Sequence, residues 1–295
     1  MNIKDSPHPY AAITIIFWSL AYVLTRLTLR HFSAFSLGFL RYFAAACAFI
    51  AVAVPTKMKL PKAADLKWFL LAGALGFFLY MIAFNKGCET VTASESSVII
   101  ATVPIITALL ARFSYREKLK GFQWLAIGIE FLGVAVLTLS GGFFTVNTGL
   151  LWLLLAAVAL SAYNLLVRRL TKSYSALQTS AYSIFAGAIM LTVFIPVSLE
   201  EARNAPSVHL LYIAILGIFS SAVAYAAWAE AFAKAKQTST VSNYMFITPF
   251  LTSLLGFLIA GERPDSRTIL GGVVILSGLF LFHFGGRISG GTHHN

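Results

Sequence analysis

Two ionisable side chains fall inside long apolar stretches of this chain. Arg41 sits about two helical turns into the apolar segment 34–54, and Glu130 lies near the middle of 121–140. A charge at such a place is costly to hold, so it marks a candidate for substrate or ion chemistry. Arg41 could hold a substrate carboxylate. It could equally pair with Glu130 or a helix end, or snorkel to the membrane surface. Glu130 could carry a coupling proton or be a neutral packing group.

Aromatic residues that also carry a polar atom form the second set. Trp18 and Tyr22 are four apart and so share one helix face. Tyr80, Tyr163 with Asn164, Tyr225 with Trp228, and Asn243 with Tyr244 lie in other apolar segments. Trp and Tyr commonly mark membrane interfaces, but several of these sit well inside a segment, where their OH and NH groups need partners. A wet central cavity would supply them. Ser94 and Ser97, with Ser239 and Ser242, fall near two helix starts, where free backbone NH groups favour an anion. The candidate substrate-binding set is therefore Trp18, Tyr22, Tyr80, Ser94, Ser97, Tyr163, Asn164, Tyr225, Trp228, Ser242 and Asn243. Pro104 and Pro249 fall mid-segment, each removing a helical hydrogen bond; the kinks would serve as gating hinges or simply shape packing. Nothing in the sequence reads as catalytic: there is no HExxH, no nucleophile beside a base and no nucleotide loop. No metal or cofactor is expected. Cys47 and Cys88 read as small packing residues rather than a disulfide framework.

The elements that must position these residues follow from composition. The chain has 295 residues, 58% hydrophobic and 11% charged, with mean hydropathy +0.80. A soluble domain carries about 25% charged residues, so most of this surface faces lipid. The net charge of +11 sits in short connections between apolar segments, which points to topology control and anionic headgroups rather than nucleic acid. A bilayer core of about 30 Å needs about 20 apolar residues per helix. Ten segments qualify: 10–28, 34–54, 68–86, 93–113, 121–140, 147–167, 178–198, 208–230, 238–259 and 267–284. Each must be helical, since hydrocarbon offers the backbone no partners. The first is read as an uncleaved helix rather than a signal peptide.

Loop charges orient the chain. With the N-terminus inside, fifteen Lys and Arg fall in inner connections and six in outer ones, which favours both termini in the cytoplasm. At an offset of 145 residues the chain also repeats itself: Ser94/Ser239, Ser97/Ser242, Pro104/Pro249, Thr107/Thr252, Leu109/Leu254, Leu110/Leu255, Glu117/Glu262, Leu125/Leu270 and Gly133/Gly278 are identical, and Tyr80/Tyr225 fits the same register. Five helices per half make the second half enter the membrane upside down. The expected fold is thus all-α, ten transmembrane helices as two five-helix inverted-topology repeats, residues 1–144 and 145–295, with a site near the midplane between them. Glu117 and Glu262, after helices 4 and 9, read first as helix-terminal groups, with a gate contact as the alternative. Oligomeric state is left open, a monomer included.

At these residues the chain resembles the drug/metabolite transporter superfamily in its ten-helix EamA-type form, over almost its whole length. The resemblance rests on Phe17-Trp18-Ser19, on Ala162-Tyr163-Asn164, and on two prolines each followed thirteen residues later by glutamate. Ala224-Tyr225-Ala226-Ala227-Trp228 and the run from Asn243 to Pro249 are similar to the YddG-type aromatic amino-acid exporters of that family. The resemblance implies an inner-membrane permease exporting amino acids or related metabolites. It implies a cavity framed by helices 1, 3, 4, 6, 8 and 9, with Trp18, Tyr80, Tyr163, Tyr225 and Trp228 facing it and helices 5 and 10 peripheral. Glu130 would then lie off the path. Smaller multidrug relatives use an acidic residue in helix 1, which this chain lacks. The competing reading is export of another small-molecule class, such as a nucleobase, a sugar or a lipophilic cation.

Overall fold

The computed structural model describes residues 6–115, 119–138, 147–235, 241 and 243–289. Among them every regular element is helical. The helices are α1 (His8–Thr28), α2 (Ala34–Ala53), α3 (Ala63–Thr90), α4 (Ala93–Ile100 and Val103–Tyr115), α5 (Gly121–Thr138), α6 (Thr148–Leu170), α7 (Ala176–Asn204), α8 (Ser207–Lys234), α9 (Asn243–Ile247, Thr248–Leu255 and Gly256–Ala260) and α10 (Ser266–Ser289). Seven are long and apolar enough to cross a membrane, and shorter apolar stretches lie in α5, α9 and α10. The chain is an all-helical, ten-helix membrane protein. Ser239, Ser242 and Glu117 lie outside the described residues.

Local chemistry sets several helix starts. Ser33 accepts from the Ser36 amide, and Asn147 from that of Gly149. Thr92 with Glu95, and Ser175 with Gln178, form reciprocal capping boxes. The prolines do more than kink. In α4 the regular helix stops at 101–102 and resumes at Val103; in α9 a 3-10 turn ends at Ile247 and the α-helix resumes at Thr248. Pro104 and Pro249 thus sit in the first turn of a new helical piece, where a missing NH costs nothing.

End contacts fix the helix directions. Arg26, in the last turn of α1, donates from Nη1 to the carbonyls of Cys88 (2.7 Å) and Glu89 (3.1 Å) at the end of α3, so α1 and α3 run the same way. α6 starts at that same end: Gly149 lies so close to α3 that a Cβ there would come within 3.0 Å of the Gly87 carbonyl. It finishes where α3 begins, with the Arg169 guanidinium 3.9 Å from the centre of the Trp68 ring. α6 therefore runs opposite to α1. α9 runs with α1, joined to it by Tyr244–His8 at one end and Glu262–Arg26 at the other.

The packing is interleaved. α1 lies against α8 and α9, while α6 lies against α3 and α4; α2 contacts α7 and α8, and α5 pairs along α10. Both α3 and α8 carry a π-helical segment, Ala74–Leu79 and Ile218–Val223. Just before each, a glycine admits a neighbouring backbone. A Cβ on Gly73 would lie 2.7 Å from the Gly187 amide nitrogen on α7, and one on Gly217 would lie 2.7 Å from the Arg41 carbonyl on α2.

Candidate functional site

A small hollow lies between the helices of the two halves. Its walls are Trp18, Ala21 and Tyr22 from α1, Arg41 from α2, Tyr80 and Phe84 from α3, Ile100 from α4, Leu160 from α6 and Tyr225 from α8. Its volume is about 20 Å³, room for a single water. The aromatic walls pack ring against ring. Trp18 meets Tyr225 at 5.2 Å and Trp228 at 5.0 Å; Tyr22 and Tyr80 meet Phe84 at 5.3 and 5.6 Å. Such spacings fall in the favourable range for edge and offset contacts.

Arg41 is 3% exposed. Its Nε donates to Ser221 Oγ at 2.7 Å, and Nη2 reaches the Ser220 carbonyl at 3.5 Å. Both serines belong to the π-helical segment of α8. Ser220 Oγ in turn donates to the Phe17 carbonyl at 2.9 Å, tying that segment to α1. A π-turn carries an extra residue and frequently occurs where a helix serves a site. Two further hydroxyls fix the stretch just after it: Thr14 donates to the Ala224 carbonyl and Ser180 to that of Tyr225, each at 3.0 Å.

The other candidates take several positions. Tyr163 is buried, 5.0 Å from Phe77 and 6.1 Å from Tyr225, just behind the wall. Trp228 lies behind Trp18 with its indole Nε1 unpartnered among the described residues. Asn164 Oδ1 and Ser94 Oγ are likewise buried without a partner there. Ser97 Oγ is satisfied by the Ser94 carbonyl at 2.7 Å. Asn243 opens the 3-10 turn of α9. Glu130, 3% exposed, lies in the α5–α10 seam, where a Cβ on Gly278 would come within 3.0 Å of the Glu130 amide nitrogen; it is not among the residues that wall the hollow. The structure thus brings Trp18, Tyr22, Arg41, Tyr80 and Tyr225 together and sets Glu130, Ser94 and Ser97 apart from them.

Polar contacts tie the bundle at both ends. At one end the Glu262 carboxylate bridges two elements: Oε1 pairs with Arg26 Nε at 3.3 Å, and Oε2 accepts from the Ala93 amide at 2.9 Å, the first turn of α4. The helix start that could have held a substrate anion is therefore engaged by the protein's own carboxylate. A cleft of about 170 Å³ opens there beside Arg26, Arg30, Glu89 and Glu262. At the other end Tyr244 OH meets His8 Nδ1 at 2.8 Å, Tyr174 OH donates to Asp65 Oδ2 at 2.6 Å, and Gln178 Nε2 donates to the Lys59 carbonyl at 2.9 Å. The Asp65 carboxylate raises the Tyr174 phenol above its ordinary value by accepting that bond.

Sequence reasoning did not single out Ser220, Ser221, Asn85 or the Arg26–Glu262 pair. Adjacent serines inside an apolar span were the available signal for the first two. Buried Asn85 donates to the Ala34 carbonyl at 2.8 Å, binding α3 to the start of α2.

A ten-helix bundle with an aromatic, cation-bearing hollow between its halves is the build of a membrane carrier. The chain belongs to the EamA-like transporter family, whose model matches it twice, over residues 7–139 and 147–284. It is 33% identical over 271 residues to the uncharacterized transporter YdfC of Bacillus subtilis, an alignment covering 91% of this chain and 88% of that one. It is 26% identical to a probable terminal-alkyne amino-acid exporter of Streptantibioticus cattleyicolor (92% and 91% covered), and 24% identical to the S-adenosylmethionine uptake transporter of Rickettsia prowazekii (76% and 74%). A solved crystal structure of a protein 18% identical superposes with a TM-score of 0.66, covering 96% of this chain and 98% of that one, and so shares the fold. The chain is a membrane transporter and not an enzyme.

Proposed function

We propose that the chain exports amino acids, chiefly aromatic and apolar ones, across a bacterial inner membrane by alternating access, with both termini in the cytoplasm. In this reading residues 1–144 and 145–295 are inverted repeats that rock about the hollow. Support comes from the opposed directions of α1 and α6, the paired π-helical segments of α3 and α8, and the double family match. The observation that carries the function is the hollow itself: four polar aromatics and one buried arginine, contributed by both halves. Trp18, Tyr22, Tyr80 and Tyr225 stack on the apolar body, and Arg41 meets the carboxylate. Tyr163 and Trp228 back that wall, and Asn164, Ser94, Ser97, Ser242 and Asn243 are the further polar groups this reading assigns to substrate binding. The substrate is a small molecule, and one protomer in the bilayer contains the whole site.

Room for one water cannot hold an amino acid, so the walls must part to admit it. The breaks just before Val103 and Thr248, each ahead of a helix whose first turn holds Pro104 or Pro249, are the natural hinges. With α1 running outwards, the Arg26–Glu262–Ala93 cluster closes the outer end and the His8–Tyr244 contact the inner one. Flux of L-phenylalanine into and out of proteoliposomes tests this, with and without a pH gradient. Saturable flux competed by other aromatic amino acids is expected, and its loss in Trp18→Ala. Absence of saturable flux for all twenty amino acids would overturn the reading.

A further inference from the structure

Arg41 holds a charge that no carboxylate among the described residues neutralises; its guanidinium carbon lies 5.9 Å from the centre of the Tyr42 ring. A guanidinium has five N–H donors. Nε goes to Ser221, Nη2 reaches one carbonyl at 3.5 Å, and the rest have no partner among the described residues. Among the described residues no acidic side chain pairs with it. The acids of the neighbouring helices are engaged elsewhere: Glu262 with Arg26, Glu95 in the cap of α4, Glu230 with Lys234, while Glu130 lies in the α5–α10 seam. Among the residues that wall the hollow, Arg41 is charged and none is acidic. A buried, unpaired cation is strongly unfavourable and is relieved by an anion in the same place.

The complementary group is missing as well. An α-ammonium entering this hollow would meet ring faces and tyrosine hydroxyls but no carboxylate. A carboxylate would meet the planar fork of an arginine held in place through Nε by Ser221. Building on the proposal that the hollow is the transport site, we infer that it recognises its substrate through the carboxylate and is indifferent to the amino group. The substrate class is then an aromatic or apolar monocarboxylate, with or without an α-amino group, and it excludes lipophilic amines.

Purified protein in nanodiscs, titrated with four probes of one shape, tests this: 3-phenylpropionate, L-phenylalanine, 2-phenylethylamine and 3-phenylpropionamide. The two carboxylates should bind within about 3-fold of each other. The amine and the amide should bind about 10–100-fold more weakly, the range expected for hydrogen bonds to a charged group. Arg41→Gln should bring both carboxylates to the level of the amide and leave the amide unchanged, a split that a merely structural arginine would not give. Ser221→Ala, which loosens Arg41 without removing it, should weaken the carboxylates alone, by a few-fold, and serves where Arg41→Gln does not fold. Equal binding of phenylethylamine and phenylalanine would overturn the inference while leaving the transport site standing. So would equal loss of acid and amide in Arg41→Gln. Binding of none of the four by the wild-type protein would overturn the transport site and the inference together.

Discussion

The seam between α2 and α8 and the seam between α7 and α3 share a backbone device and differ in chemistry. In each, a glycine before a π-helical segment lets a partner backbone approach: Gly217 against Arg41 and Ala44 in the first, Gly73 against Ala186 and Gly187 in the second. At the 145-residue offset Arg41 corresponds to Ala186 and Ser221 to Gly76, while matching the two glycines themselves pairs Gly76 with Ser220; either register sets Gly76 against a serine. The first seam therefore carries a cation and its hydroxyl partner. The second carries a methyl group, with the ring of Tyr163 laid onto Gly76. In the proposed reading the scaffold is duplicated and the recognition chemistry lies on one side, so that an asymmetric substrate would be held in one orientation, charged end towards α2 and α8.

The largest effects should come from the features the seams share. A Cβ on Gly73 would lie 2.6 Å from Ala186 Cβ, and one on Gly217 would lie 2.5 Å from Ala44 Cβ. Gly73→Leu and Gly217→Leu should each cost about 3 kcal/mol or more, above the usual range for overpacking because backbone is displaced. Loss of the monodisperse peak in detergent would show it. Gly128→Leu, with nothing within 4 Å of its Cβ, is the control and should keep that peak. If the two seam variants differed widely in stability, the architectural equivalence would be wrong.

Next in size is the attempt to make the seams alike. Gly76→Ser puts a Cβ 2.4 Å from Tyr163 Cδ2 and should destabilise by about 1–3 kcal/mol, read as a lowered thermal midpoint. Ala186→Ser, in contrast, should leave substrate affinity unchanged, while Ser221→Ala weakens it. A clear effect of Ala186→Ser on affinity would put recognition on both sides.

A smaller effect is expected at the bundle end. Arg26 and Glu262 are 28% and 17% exposed, so removing the ion pair should be worth about 1 kcal/mol, a roughly 5-fold shift towards the state open at that end. Glu262→Gln with distance-reporting spin labels checks this. The smallest belongs to the exposed His8–Tyr244 contact, where Tyr244→Phe should change the thermal midpoint by no more than about 0.5 kcal/mol allows.

Much of this was legible from residue order. Ten apolar runs of spanning length declare ten helices because a bilayer admits little else. The aromatic residues that wall the hollow stood out because an OH or NH deep in hydrocarbon needs a reason. Arg41 stood out for the same reason, but its partners did not. Ser220 and Ser221 are ordinary residues in a helix until a π-turn places them against α2, and no periodicity announces a π-turn. The Arg26–Glu262 contact joins positions 236 residues apart, and a glutamate after a helix reads first as a local terminal group. Glu130 shows the converse: an intramembrane acid draws attention wherever it lies, and only packing places it in the α5–α10 seam. The proline breaks were readable as kinks, but their depth depends on how Thr102 and Ile247 end the preceding turns.

Alternating access requires the Arg26 end to open and close with each cycle. A disulfide between Arg26→Cys and Glu262→Cys, made in a chain carrying Cys47→Ser and Cys88→Ser, would hold that end shut. The account predicts that L-phenylalanine flux in proteoliposomes falls to background when the disulfide forms and returns when it is reduced. Undiminished flux with the disulfide intact would contradict it.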